Sequence, residues 1–248
     1  MRIVEVDSSN VDSKGFFCYM SKKKSVGYQR KLQWLKARFD EGMKLKLLEL
    51  PDRGFIEYIP GEYAWRAVSA PGYMVIHCLW VVGKSKGKGY AKQLLGECLR
   101  DAEEAGMHGV AMLTSEKTWL VGKKLFVSQG FEVVDHMEPS FSLMVKRFGD
   151  AELPTLIDNR ERVKSRFPEG LTLFRSDQCP YIEDAIANGR SVAEKAGIEC
   201  QVVELTTAAE VREFSPFPFG TFGMVLNGRR LSYHYLLEKE LLPLLQVQ

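Results

Sequence analysis

The sequence lacks any apolar run approaching the roughly 20 residues that a membrane-spanning helix needs, so no membrane partner is expected. Its opening residues, MRIVEVDSSN, show no secretory pattern. Five cysteines make an odd number with no C-x-x-C pair, which excludes a disulfide framework and points to a reducing compartment. A cytoplasmic protein is the expectation. Charge of one sign is scarce in excess. The 34 Lys and Arg against 32 Asp and Glu leave +2, too little for a field that would hold nucleic acid. No nucleic-acid partner is expected, and no cluster of metal-ligating residues is read. What is there, 45% hydrophobic and 27% charged over 248 residues, suits a globular α/β chain of one large or two modest domains.

The densest signal lies between Val75 and Gly106. Val75 to Val82 is an apolar run of the length of a strand buried on both faces. Alternation along it would place Val75, His77 and Leu79 on one face. A loop made of glycine, lysine and one serine follows, GKSKGKG. Then comes a helix with Leu94, Leu95, Cys98, Leu99 and Ala102 on one side and Gly106 as its C-terminal cap. Strand, glycine-lysine loop and helix together make a phosphate holder. Gly87 and Gly89 let the backbone come close and turn its N–H groups outward, and the helix N-terminus adds partial positive charge. Lys84, Lys86, Lys88 and Lys92 add full charges. Two familiar loops fail: Lys88 stands where a P-loop needs its second glycine, and Lys92 where a dinucleotide fingerprint needs its third.

Lys86-Gly87-Lys88-Gly89-Tyr90-Ala91 does read as [Q/R]-x-x-G-x-[G/A] with lysine in first place. It resembles the pyrophosphate loop of the GNAT family of N-acetyltransferases, which bind acetyl-CoA. The expected element order up to Arg147 is β, α, β, β, β, α, β, α, β, β. It starts with a strand at Met1–Val6, a helix carrying Tyr28, Leu32, Leu35 and Phe39 and closed by Gly42, and a strand at Met43–Leu47. A strand from Gly54 is broken at Pro60-Gly61. After the central strand and helix come a strand at Gly109–Leu113, a helix from about Thr118 to Gln129, and strands at Phe131–Asp135 and Phe141–Val145. This order too resembles the GNAT fold, a mixed sheet that splays beside the central strand. KKLFVSQGF, Lys123 to Phe131, is similar to the family's L-Y-x-x-x-G-F segment.

A composition change marks 149–170 as a linker with one helical turn, so domains are expected at 1–148 and 171–248. The second reads β-α-β-α-β-β-α. Its first helix is entered through Cys179-Pro180 and capped by Gly197, and a hairpin turns on Asn227-Gly228. That order is similar to a thioredoxin-like fold. The whole arrangement resembles GNAT members with a YoaP-type C-terminal domain.

The resemblance implies acetyl-CoA as co-substrate and transfer to a primary amine of a small molecule or peptide, by direct attack in a ternary complex. It assigns the thioester and oxyanion to the backbone of Leu79, Trp80 and Val81, with Val82 continuing along pantetheine. It assigns the pyrophosphate to Lys86, Gly87, Lys88, Gly89, Tyr90 and Ala91. The attacking amine must shed a proton, for which His77 and then Glu57 are the candidate bases. His77 also reads as a hydrogen-bonded core histidine, and Glu57 as a surface carboxylate or salt-bridge partner. Tyr58, Tyr63 and Trp65 either wall an acceptor pocket or serve as plain core. The chain departs from the family at Phe126, where many members carry a tyrosine that protonates the leaving thiolate, and at Trp119, where an asparagine is frequent. Tyr90 and Cys78 are stand-in acids to consider. A non-catalytic acyl-CoA binder with a partner-docking second domain is the competing reading. Ile182 takes the place of a second redox cysteine and Gly220 that of a cis-proline, which leaves only a one-cysteine chemistry at Cys179.

Overall fold

The computed structural model describes residues 2–116 and 120–246. In chain order the first part forms β1 (Ile3–Val6), α1 (Val11–Lys14), α2 (Val26–Phe39), β2 (Lys44–Leu48), β3 (Gly54–Pro60) and β4 (Val68–Ser69). Then come β5 (Tyr73–Val81), α3 (Tyr90–Glu104), β6 (Gly109–Ser115), α4 (Lys124–Val127), β7 (Glu132–Met137), β8 (Phe141–Arg147) and β9 (Thr155–Leu156). Two compact units divide the chain. The first takes Met1–Met20, Leu32–Ala64 and Val68–Leu156, and the second takes Ser21–Lys31, Trp65–Ala67 and Ile157–Gln248.

In the first unit seven strands hydrogen-bond in the order β1-β2-β3-β5-β6-β8-β7. The β5–β6 pair is parallel and the rest are antiparallel, so the sheet is mixed. Apolar periodicity explains how α3 is bound to it. Leu94, Leu95, Cys98 and Ala102 are buried against Ile56, Tyr58, Met74, Ile76 and Met112 of the sheet. The helix stops in a Schellman turn: Met107 N donates to Ala102 O and Gly106 N to Glu103 O, with Gly106 at φ +66°. Beneath the helix a polar network crosses the apolar contact. Lys46 Nζ donates to Glu97 (3.1 Å) and Asp101 (2.7 Å), and Tyr58 Oη donates to Asp101 at 2.7 Å. Burial and this acceptor push the Tyr58 hydroxyl far above its ordinary pKa.

One expected element is shortened. The helix sought from Thr118 to Gln129 exists only as the four residues of α4 followed by a turn ending at Gly130 (φ +81°). Val121-Gly122, a β-branched residue beside a glycine, is a poor helix interior. Thr118 and Trp119 themselves lie outside the described residues.

The second unit contains α5 (Arg160–Arg166), β10 (Leu171–Arg175), α6 (Ile182–Ala196), β11 (Cys200–Glu204), α7 (Ala208–Phe214), β12 (Phe222–Leu226), β13 (Arg229–Ser232) and α8 (Glu238–Gln246). From β10 onward this is the expected β-α-β-α-β-β-α. The charged run NRERVKSR, read as a linker with one turn, contains all seven residues of α5. The sheet order is β11-β10-β12-β13, with β10 and β11 parallel and the other pairs antiparallel. Asn227 (φ +49°) and Gly228 (φ +74°) both take the left-handed conformation that a type I′ hairpin needs. Thr207 and Glu210 cap α7 reciprocally. Arg66, from the short excursion at 65–67, is buried in this unit and donates to Gln178 Oε1 and to the Phe219 carbonyl at 2.8 Å.

Candidate functional site

β5 is where the sheet changes character. It runs for nine residues, yet its ladder with β6 covers only Tyr73–Ile76 against Gly109–Met112. Beyond that point β5 follows β3 to Val81 and β6 follows β8 to Ser115, so the two parallel strands part. Alternate residues of a strand direct their N–H and C=O to the same side. Along Leu79–Val81 the side away from β3 is therefore outside any ladder.

The parting coincides with a bulge. Glu57 is in register with Cys78 and Tyr58 with Ile76, which leaves His77 as the extra residue on β5. This corrects the simple alternation along the strand. Met74 and Ile76 sit in the core under α3, and past the bulge it is Leu79 and Val81 that join them. Val75, His77 and Leu79 therefore do not share a face. A one-residue insertion exchanges the two faces for everything that follows.

Both candidate bases are buried, His77 and Glu57 each at 3% exposure. Glu57 is thus not a surface carboxylate. It lies on the opposite face of β3 from Ile56 and Tyr58, which belong to the α3 core. The His77 ring is 6.0 Å from that of Trp34 in α2, tilted by 34°. The three aromatics considered as a pocket wall differ in setting. Tyr58 is core beneath α3, Tyr63 is 47% exposed, and Trp65 belongs to the second unit. Phe126 is fully buried and meets Phe131 edge-on at 5.2 Å, a packing role for which no hydroxyl is needed.

After β5 the chain enters the glycine-lysine loop. Gly83, Gly87 and Gly89 have φ of +58°, +76° and +77°, and a Cβ added to any of them would meet nothing within 4 Å. Those glycines are required by conformation and openness, not by packing. Gly89 is the N-cap of α3 with no side-chain cap, and Tyr90, Ala91, Lys92 and Gln93 bring no acidic residue to the first turn. No side chain caps the first N–H groups of α3, the arrangement that suits an anion.

The sequence reading missed Asp52. This residue sits in the turn between β2 and β3, and its carboxylate accepts from Ser85 Oγ (3.0 Å), Lys88 Nζ (3.2 Å) and Tyr90 Oη (2.8 Å). Ser85 Oγ also accepts from Arg53 N at 2.9 Å. Tyr90 first, then Lys88 and Ser85, hold the Asp52 carboxyl below its ordinary range, and the same bond pushes the Tyr90 hydroxyl up. With that hydroxyl committed, Tyr90 is a poor stand-in acid. An aspartate in a P-D-R-G turn ordinarily reads as turn chemistry, so the sequence carried no signal of a long-range role.

The model of the acetyltransferase (GNAT) family matches residues 19–131. Over 242 residues, 95% of each chain, the sequence is 33% identical to a Bacillus subtilis protein named as an uncharacterized N-acetyltransferase, YoaP. This chain belongs to the GNAT acetyltransferase family. Solved structures that it resembles include a ribosomal-protein-alanine N-acetyltransferase from Brucella melitensis, at 16% identity and a TM-score of 0.43, covering 60% of this chain and all of that one. Another is the Escherichia coli GNAT enzyme YhbS in complex with CoA, at 17% identity and a TM-score of 0.40, covering 62% and 88%. As a family member the chain is an acyltransferase, with acetyl-CoA as its co-substrate. The reading as a mere acyl-CoA binder is not favoured. Among the described residues no helix is long and apolar enough to cross a membrane.

Proposed function

We propose that this acetyltransferase transfers the acetyl group of acetyl-CoA directly to a primary amine of a small molecule or peptide, in a ternary complex formed in the first unit. One observation carries the reading: β5 parts from β6 after Ile76 and leads straight into the open glycine loop and uncapped start of α3. The thioester lies along Leu79, Trp80 and Val81, whose backbone N–H on the open side polarises the carbonyl and holds the oxyanion. Val82 continues along pantetheine. Lys86, Gly87, Lys88, Gly89, Tyr90 and Ala91 surround the pyrophosphate. The amine nitrogen attacks the carbonyl carbon, the C–S bond breaks, and the thiolate leaves.

An alkyl ammonium of pKa about 10 must first lose a proton, and His77 at the bulge, or Glu57 beside it in register, receives that proton. Its position where the strands part supports His77 ahead of Glu57. A thiol of pKa about 8.5 is a tolerable leaving group, so a phenylalanine at position 126 is compatible with turnover.

The second unit we read as thioredoxin-like, which the β11-β10-β12-β13 order with its single parallel pair supports. A redox role is not part of the reading, since Ile182 occupies the second cysteine's place. Release of CoA thiol, followed for the native protein across an amine library, checks the proposal. His77→Gln should lower kcat by about 10²-fold or more, the usual size of a lost general base. Full activity of both His77→Gln and Glu57→Gln would remove the proposed base.

A further inference from the structure

We infer that Asp52 is a positioning residue for the donor, holding the pyrophosphate loop in its binding shape through Ser85, Lys88 and Tyr90; this rests on the loop's proposed role. The loop's own backbone bonds, Ser85 N to Val82 O and Lys86 N to Gly83 O (both 3.2 Å), fix its first turn but not Gly87 and Gly89. Its three glycines have positive φ and touch nothing through a would-be side chain, and glycine loses the most conformational freedom when a loop is fixed. A ligand closing on such a loop bears that ordering cost in affinity unless something else has already met it. Asp52 supplies the restraint from outside the loop.

Its two oxygens gather the middle of the loop at Ser85, the end at Lys88 and the first residue of α3 at Tyr90. The Ser85 hydroxyl is buried and reaches back to Arg53 N, while Val82 N donates to Arg53 O at 3.1 Å. The entry and exit of the loop are thereby clamped to one turn. These are hydrogen bonds to a charged acceptor, about twice as strong as neutral ones. The carboxylate also divides the loop's cations. Lys88 is drawn to Asp52, while Lys84 and Lys86 stay exposed on the loop. An acidic residue beside a phosphate site would by charge alone weaken anion binding. The geometry therefore predicts that removing it harms binding, the opposite of the sign from charge.

The experiment is calorimetric titration of the full chain with acetyl-CoA, for the native protein, Asp52→Ala, Asp52→Asn, Tyr90→Phe/Ser85→Ala, and the last combined with Asp52→Ala. Thermal melts of each confirm folding. Asp52→Ala should raise Kd about tenfold. Asp52→Asn, which keeps one of the two acceptor oxygens but loses the other and the charge, should raise it less. In the background lacking both hydroxyls, Asp52→Ala should add less than about threefold, because tethers that act together are not additive. Unchanged or tighter binding in Asp52→Ala, or a further full tenfold loss when Asp52→Ala is added to the Tyr90→Phe/Ser85→Ala background, overturns the inference. Tyr90→Phe alone decides the matter if Asp52→Ala does not fold: an unchanged Kd there counts against it. A Gly87→Val/Gly89→Val variant that binds like the native protein would instead overturn the loop's role itself, so the two failures are distinguishable.

Discussion

At the scale of single residues, glycines in the first unit fall into two kinds that substitution should separate. Gly87 and Gly89 have left-handed backbone and empty surroundings, so valine there costs about 1–2 kcal/mol each in backbone strain and should spoil the loop while the rest stays folded. Gly61 is the reverse: a Cβ would come within 1.8 Å of the Ala70 carbonyl oxygen. Gly61→Ala should drop the thermal midpoint sharply, with donor affinity of the surviving folded fraction unchanged. Asp52 adds a pH signature. Its folded pKa is depressed, so the tether is fully present above the ordinary carboxylate value of about 4 and is lost as pH falls through the lower, folded value. The ratio of acetyl-CoA affinities between native protein and Asp52→Asn should hold constant from about pH 5 to 8. Titrations run over one pH series check this, and a ratio that collapses between about pH 5 and 8 would contradict the assignment of Asp52.

At the scale of elements, α3 is held by an apolar face and one polar network. Tyr58→Phe removes the donor to Asp101 and should cost about 1–2 kcal/mol in denaturant unfolding while leaving kcat/KM untouched, since Tyr58 faces the core and not the parting strands. A fall in kcat/KM with unaltered stability would place Tyr58 in the site after all. Most of α3 was legible from sequence: Leu94, Leu95, Cys98 and Ala102 at helical spacing, with Gly106 at the stop, leave little choice. The bulge at His77 was not legible. An inserted residue in a strand that is apolar on both faces leaves no break in pattern, because every residue from Val75 to Val82 except His77 suits either side. The short α4 was misjudged for a related reason, since apolar spacing alone says nothing of the weak helix interior at Val121-Gly122. Asp52 escaped because a turn aspartate has a local explanation, and its three partners lie 33 to 38 residues away.

At the scale of the whole molecule, the second unit takes in two short pieces from early in the chain. Sequence order hides this, because contact over such separations leaves no local trace. Arg66 bonds to Gln178 and the Phe219 carbonyl, Arg30 pairs with Asp177 at 2.7 Å and Glu204 at 3.0 Å, and a Cβ on Gly27 would meet the Pro180 carbonyl at 2.2 Å. A fragment of 157–248 lacks those pieces, and loses donors that buried acceptors need. By circular dichroism it should melt well below the full chain, and an equal midpoint would contradict this. The hairpin at Asn227-Gly228 was, by contrast, plain in the sequence because its signal is local. The account as a whole depends on where the donor sits. Calorimetric titration of acetyl-CoA into the native protein and into Gly87→Val/Gly89→Val tests that most directly. Micromolar binding to the native chain, abolished in the folded double variant, is the predicted result, and equal binding to both would contradict the account.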